Sequence, residues 1–452
     1  MISLFISLIG ILTTILFVVG THESAHFLVA RLLNIKILRF SIGFGKTLFH
    51  WHDKKGTEYV IALVPLGGYV KMLDEAEGDV PKEDLPFAFN RQPFYKKFLV
   101  VLAGPAMNLF CAFILYWMLF AIGFTTLKPL IGNVAPNSIS AAAGIQSNQE
   151  IIAVDNEPTA TWTSILFRLI AHIGNQDTVK IAVKNLSDNK ITSHTLNLSQ
   201  WHMDELSPDP LASIGITPYE PEIPLIIGMI SPDSPAAHSS LKLGDKILAL
   251  NNKPIKNWSE FMTIIINHPA ETITLTIERQ KKQIDLPITV GFQRNIFFQK
   301  SGYLGIAPTF NIPQKLLHKI QYNFFAAAPK ALQEMVNFTY FNLVLFGKLF
   351  TGKLSLKSLG GPITIFESAG TALNYGFLSF IGFLAFLSIS IGIINLLPIP
   401  GLDGGHLAIQ IIESISQKTI PERVLVLLYH LGFIFIFLII IQAVVNDILR
   451  LY

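Results

Sequence analysis

Four stretches of this chain, residues 1–21, 98–127, 368–402 and 424–446, contain no Asp, Glu, Lys or Arg. About 20 residues of α-helix cross the hydrocarbon layer of a bilayer. Each run is therefore long enough to span a membrane, and that requirement governs every other reading of the sequence. Composition agrees: 51% of the residues are hydrophobic and 14% are charged, against roughly 25% charged in soluble domains. The expected fold class is a polytopic α-helical membrane protein with four transmembrane helices. A fifth stretch, 335–347, has only 13 uncharged residues and reads as an interfacial or buried helix. A net charge of +3 provides no basic surface for a polyanion, so no nucleic-acid partner is expected. With Cys111 as the one cysteine, an internal disulfide and a cysteine-built metal cluster are excluded. Any zinc must be held by His and carboxylate.

The first run lacks a basic leader and a small-residue cleavage site, so it reads as an anchor and not as a signal peptide. Its first basic residue is Arg31, and residues 31–97 hold 11 Lys and Arg. The positive-inside bias places that segment in the cytoplasm and the N-terminus outside. Alternation then puts 128–367 outside, the 403–423 loop with Lys418 and Arg423 inside, and the C-terminus outside. The expected organisation is a first spanning helix over 1–26, a cytoplasmic segment over 27–97 and a second span over 98–127. Two outer domains follow over 128–220 and 221–311, then an amphipathic helical segment over 312–367. A third span covers 368–402, a cytoplasmic loop 403–423, and a fourth span with the C-terminus 424–452. Within 38–72 the residues alternate as in a β-hairpin, with Asp53-Lys54-Lys55-Gly56 as the turn signal.

The outer part contains an internal repeat. Residues 131–158 align without gaps to 227–254 at an offset of 96, with nine of 28 positions identical. Each copy continues into a helix-like segment, a β-rich alternation and a similar closing strand, Ile214-Gly-Ile-Thr-Pro218 or Leu304-Gly-Ile-Ala-Pro308. Tandem α+β modules of about 90 residues have the size of independent domains. Their element order, with Gly244-Asp245-Lys-Ile-Leu-Ala-Leu-Asn251 in the second copy, resembles PDZ domains of the bacterial periplasmic type. Such domains add an extended peptide C-terminus to an open sheet edge. The first copy departs from the pattern, with Asn148-Gln149 in place of Gly-Asp.

The first span runs into His22-Glu23-Ser24-Ala25-His26. On a helix, positions i and i+4 share a face, so His22 and His26 can converge on one zinc ion, with Glu23 beside them to take a proton from water. Ionisable residues at the end of an apolar span are expensive and point to function. A catalytic zinc also needs a third protein ligand. Spans one and three run in the same direction, so Asp403 at the end of span three reaches the same side at similar depth. Asp403 is the expected third ligand.

At these residues the chain resembles the site-2 protease family of intramembrane zinc metalloproteases. The resemblance covers essentially the whole chain: the H-E-x-x-H motif, Ala103-Gly-Pro-x-x-Asn108, the two PDZ-like modules and Asn395-x-x-Pro398-x-Pro400-x-Leu-Asp403-Gly404. It implies His22, His26 and Asp403 as zinc ligands and Glu23 as catalytic base. It also implies that Asn395, Pro398 and Pro400 shape a substrate groove, and that the hairpin dips toward the membrane and offers an edge strand at Gly67, Gly68 and Tyr69. Implied substrates are single-span membrane proteins such as an anti-sigma factor, already trimmed by another protease, and remnant signal peptides. The implied setting is the bacterial inner membrane, with both termini and the PDZ pair periplasmic and an envelope stress response as the output.

Several readings stay open at this level. His406 can ligate the metal or stand just behind the ligands. Asn108 can serve packing or the site. Residues 312–350 can lie on the outer leaflet or pack under the PDZ pair. A non-catalytic PDZ scaffold with a vestigial metal site is the main rival function, and the intact His22, Glu23, His26 and Asp403 speak against it.

Overall fold

The computed structural model describes residues 2–75, 78–175, 177–199, 201–203, 209–221, 223–294, 300–309 and 312–450. Two long helices, α1 (Ile2–Leu32) and α2 (Phe94–Ile122), flank a hairpin of β1 (Ile37–His52) and β2 (Glu58–Met72). The two repeat modules contribute α3 (Ile139–Ala142), α4 (Trp162–His172), α5 (Pro210–Ser213) and α6 (Trp258–Asn267). The chain then returns through α7 (Phe324–Phe350), α8 (Pro362–Asn374), α9 (Phe377–Leu396), α10 (Asp403–Ser416) and α11 (Glu422–Arg450). Among the described residues, α1, α2, α9 and α11 are long and apolar enough to cross a membrane. Their outward faces are apolar, with Leu16 on α1, Phe110 on α2 and Phe433 and Leu438 on α11 all exposed. Hydrocarbon contact suits such a surface and water does not.

Three expected boundaries change. The third apolar run is not one span: α8 ends at Asn374, and α9 begins only at Phe377, after Gly376 takes φ +109°. That conformation favours glycine and cannot be continued as helix. The second run leaves the helix at Gly123, and Phe124–Leu127 becomes a strand paired antiparallel with Leu317–Ile320. Residues 403–416, expected as loop, form α10, whose buried Gly404, Leu407 and Gln410 lie on one side while Ile412 and Ile415 lie exposed on the other.

The two modules share one architecture. In the first, a four-stranded sheet has the order Glu157–Pro158, Gln149–Val154, Thr178–Asn185, Ile191–Asn197; in the second it is Lys253–Pro254, Lys246–Leu250, Thr272–Arg279, Lys282–Thr289. A separate pair joins the first repeat strand to the closing strand: Ile131–Val134 with Ile216–Pro218, and Ile227–Ile230 with Ile306–Pro308. Each module has its own core, around Ile151, Ile165 and Ile181 in one and Ile247, Phe261 and Leu275 in the other. Asp245 of the second copy is buried, accepting from Arg279 and from the Lys242 N–H. In the first copy Gln149, also buried, accepts from the Gln146 N–H at 2.9 Å. The divergent position thus keeps its turn by a different side chain.

Helix α7 decides one open reading. Phe338 stacks on Tyr116 of α2 at 5.6 Å and meets Phe386 of α9 at 5.5 Å, while Phe167 of α4 contacts Phe338 and Phe341 at 4.7 and 4.0 Å. Lys348 Nζ donates to the Ile173 carbonyl of the first module. One face of α7 therefore packs under that module, while Phe325, Leu332, Val336 and Tyr340 stay exposed on the other.

The hairpin is bent. Ile37–Ile42 pairs with Gly68–Met72, and Thr47–His52 pairs with Glu58–Ala62, with the register breaking around Gly43 and Gly45. Exposed Phe44 and Leu48 stand at the bend, and exposed Phe49 and Trp51 lie along the arm that leads to the turn at 53–57. That turn is tied to α1 by Arg31, which lies 4.7 Å over the Phe27 ring, pairs with Asp53 and donates to Thr57.

Candidate active site

Because α1 stays helical through Leu32, His22 and His26 fall on one face and both are buried. Their Nε2 atoms lie 3.2 Å apart, and Asp403 Oδ2, at the start of α10, lies 3.0 Å from the first and 3.5 Å from the second. All three donor atoms fall within 4.8 Å of one another. Asp403 Oδ2 is buried and has no hydrogen bond among the described residues. Three donor atoms converging on one point suit a cation. Two imidazoles and one carboxylate match the three-ligand set of a catalytic zinc site.

The outer hydrogen bonds set the tautomers. His26 Nδ1 lies 2.7 Å from the Val100 carbonyl of α2. A carbonyl only accepts, so Nδ1 carries the proton and Nε2 keeps the lone pair that a metal needs. His22 Nδ1 lies 3.3 Å from the Asn108 side-chain amide, whose Oδ1 is buried without a partner among the described residues. Rotating that amide by half a turn sets Oδ1 against His22 Nδ1–H, which satisfies the oxygen and gives His22 the same tautomer.

Gly104 of α2 lies directly against both rings. A Cβ built there would overlap His26 Nε2 and stand 2.7 Å from His22 Nε2. Sequence reasoning flagged the Ala103–Asn108 motif but gave Gly104 no task. A small residue inside an apolar helix was the available signal. The Val100 carbonyl, a main-chain group, left none.

Glu23 sits next to the histidines, half-buried, and its side chain runs to the hairpin. A Cβ on Gly68 would lie 2.9 Å from Glu23 Cγ and 2.8 Å from the Ser41 carbonyl. Gly67 lies against the Phe44 ring, and Tyr69 stacks on the same ring at 6.2 Å while its hydroxyl accepts from Arg39. Asn395 ends α9 half-buried; Pro398, exposed, and Pro400, half-buried, occupy the connection to α10. His406 does not join the three donors. Its Nδ1 shares a 3.0 Å hydrogen bond with the Tyr429 hydroxyl of α11.

A two-histidine, one-carboxylate donor set with a glutamate at its side, enclosed by membrane-spanning helices, defines a membrane-embedded metallohydrolase. Residues 10–439 match the peptidase family M50, and the chain belongs to that family. The protein is thus an intramembrane zinc metalloprotease. It is 36% identical over 448 residues to the regulator of sigma-E protease RseP of Escherichia coli strain K12, covering 99% of this chain and 98% of that one. The Salmonella typhimurium protein of the same name gives the same identity and coverage, and the regulator of sigma E protease of Haemophilus influenzae is 34% identical over 98% and 99% of the two chains. A solved PDZ domain of an SdrC-like protein from Listeria monocytogenes, 18% identical, covers 20% of this chain and 93% of its own at a TM-score of 0.17, too slight to bear on the fold.

Proposed function

We propose that this protease cuts single-span membrane proteins inside their transmembrane segments, after another protease has removed the bulk of their outer domain. In this reading His22, His26 and Asp403 hold the zinc and Glu23 is the catalytic base. The observation that carries it is the contact of Glu23 with Gly68, which sets the base between the three-donor cluster and the β2 edge. Zinc, when bound, supplies a Lewis acid that activates water at neutral pH. The Glu23 carboxylate accepts the proton of the attacking water and returns it to the leaving amine nitrogen. A transmembrane helix hides its carbonyls in its own hydrogen bonds, so the substrate must unwind before it reacts. Freed backbone groups are costly in lipid unless re-paired, and residues Gly67–Tyr69 offer them a strand. Asn395, Pro398 and Pro400 form the opposing wall, and His406 and Asn108 support the ligands from behind.

The two outer modules act as PDZ domains in this scheme. They take newly exposed peptide C-termini or obstruct proteins that still carry bulky outer domains. The likeness to relatives named as regulators of sigma-E protease supports an anti-sigma factor as a substrate, remnant signal peptides as further ones, and an envelope stress response as the output. The protein then resides in the bacterial inner membrane with both termini and the modules in the periplasm, an orientation favoured by the 11 Lys and Arg of residues 31–97.

Glu23→Gln is the direct test. The purified variant should retain zinc and lose 10²- to 10⁴-fold in cleavage of a single-span peptide, roughly the range for removing a positioned base. Near wild-type cutting would take the role away from Glu23.

A further inference from the structure

A cavity of about 670 Å³ lies between the first module and the bundle, a volume usual for small-molecule sites. Its floor is aromatic, with Phe120 at the C-terminal end of α2, Phe124 and Tyr322. One wall is the first module, with Thr159 and Arg168, and the facing wall is α7, with Lys330 and Glu334. Three groups in these walls lack the partner their chemistry asks for. Thr159 is 5% exposed, and its Oγ1 makes no hydrogen bond among the described residues; native proteins rarely leave such an atom unsatisfied. Lys330 and Glu334 stand four apart on α7, where opposite charges commonly pair. Among the described residues no ion pair joins them: Lys330 Nζ lies 5.9 Å over the Tyr322 ring and donates to Gln333 Oε1 at 3.2 Å. Burial pushes the Glu334 carboxyl above its ordinary range, and a hydrogen bond with the Asn337 side chain offsets only part of that cost. The other two carboxylates of the cavity are engaged, Glu157 with Arg168 at 3.6 Å and Asp155 with His172 at 2.6 Å.

An ammonium and a carboxylate that line one cavity without pairing suit a ligand that carries both charges. Side chains at i and i+4 start about 5–6 Å apart, a spacing that the two-carbon link between a phosphate and an ammonium can span. Depth points to the source. Met118 and Ile122, apolar and exposed, set the last turns of α2 against lipid. Trp117, on the same turns, donates its ring N–H to the Phe324 carbonyl at the start of α7, and such rings mark the headgroup level of a bilayer. We propose that the cavity binds a phosphate–ammonium zwitterion, the phosphoethanolamine headgroup of a membrane phospholipid. The ammonium sits on the Glu334 carboxylate, and the phosphate accepts from Lys330 Nζ and from the Thr159 hydroxyl. The glycerol and the first methylenes cover the Phe120 and Phe124 rings. Held between the two walls, the headgroup ties the first module to α7 beside the contacts of Phe167 with Phe338 and Phe341.

The test uses full-length, delipidated protein in detergent and three probes: dioleoylphosphatidylethanolamine, dioleoylphosphatidylglycerol and soluble sn-glycero-3-phosphoethanolamine. Wild type should bind the first lipid about 10-fold or more tighter than the second, which lacks the ammonium; that factor is the lower end of one hydrogen bond to a charged group. Glu334→Gln should erase the preference by weakening the ethanolamine lipid alone. Lys330→Gln should instead weaken both lipids, because both carry the phosphate. Thr159→Val, which keeps the shape and removes the hydroxyl, should also weaken both. Each variant should hold as much zinc as wild type, which shows that it folds, and a variant that fails this control leaves the decision to the other two. Binding of the soluble compound as tightly as the lipid would uphold the zwitterion and assign it to a free solute. Equal binding of the two lipids by wild type would overturn the proposal, as would a preference that survives Glu334→Gln or phosphate-lipid binding untouched by Lys330→Gln and Thr159→Val.

Discussion

A methyl group on Gly104 would fill the space into which His22 and His26 present their Nε2 atoms. Gly104→Ala should therefore lower zinc affinity about 10-fold or more, in the range seen when support of a ligand is lost. Zinc retained after dialysis against a chelator measures it, and wild-type retention would mean that α1 and α2 slide apart at little cost. That His22, His26 and Asp403 meet was legible in the sequence, because i and i+4 spacing and the parallel course of two spans fix where they end. Gly104 was not, since its task is to be absent from a space that only the folded pair of helices defines. Outside the spans, the Arg31 guanidinium beside Asp53 holds that carboxyl down to about 2, against the desolvation that would raise it. A lowered folded-state value gives stabilisation that is complete above the unfolded value, near 4, and is lost as pH falls through about 2. The hairpin's tie to α1 should then be constant across neutral pH and loosen only between about pH 4 and 2. Amide exchange at residues 53–57 against pH would show that step, and Asp53→Asn should abolish it.

Elements were legible where charge marks their ends and obscure where it does not. The first, second and fourth runs became helices close to their expected places. The third could not be divided by charge, because Tyr375-Gly376 breaks it without a single charged residue. Its N-terminal piece, α8, is capped from a distance: Asp447 of α11 accepts from the N–H groups of Gly361, Ile363 and Thr364 at 2.8, 2.9 and 3.2 Å. A cap 83 to 86 residues downstream leaves no local pattern to read. The adjacent Asn446 donates to the Leu356 and Leu359 carbonyls, so one end of α11 clasps the chain leading into α8. Asp447→Ala would strand three buried or half-buried N–H donors and the Thr364 hydroxyl and should cost about 1–3 kcal/mol. A lowered unfolding temperature with unchanged zinc content is the expected result. No change would assign the stability of α8 to its packing on α1 and α9.

For the whole molecule, the repeat at an offset of 96 disclosed two like modules, and the run lengths disclosed the bundle. The packing of α7 beneath the first module was not disclosed, because an amphipathic stripe does not name the surface that will cover it. Size exclusion by residues 128–311 is testable at this scale. Deleting them should leave the spans and zinc in place and permit cutting of substrates whose outer domains are intact, which the full chain should reject. Continued rejection would end the idea of a filter.

That deletion is feasible because of the short ribbon between Phe124–Leu127 and Leu317–Ile320. The chain leaves the bundle at Leu127 and returns at its paired residue Leu317, so everything between closes as a loop on a fixed pair of strands. Loop-closure entropy rises only as the logarithm of length, about 0.6 kcal/mol for each doubling. The ribbon thus lets the chain between those two strands change in length at small entropic cost to the membrane core. Insertions and exchanges are therefore tolerated most readily in the second module, because the first belongs to the packing of the bundle, through Phe167 against Phe338 and Phe341 and through Lys348 on the Ile173 carbonyl.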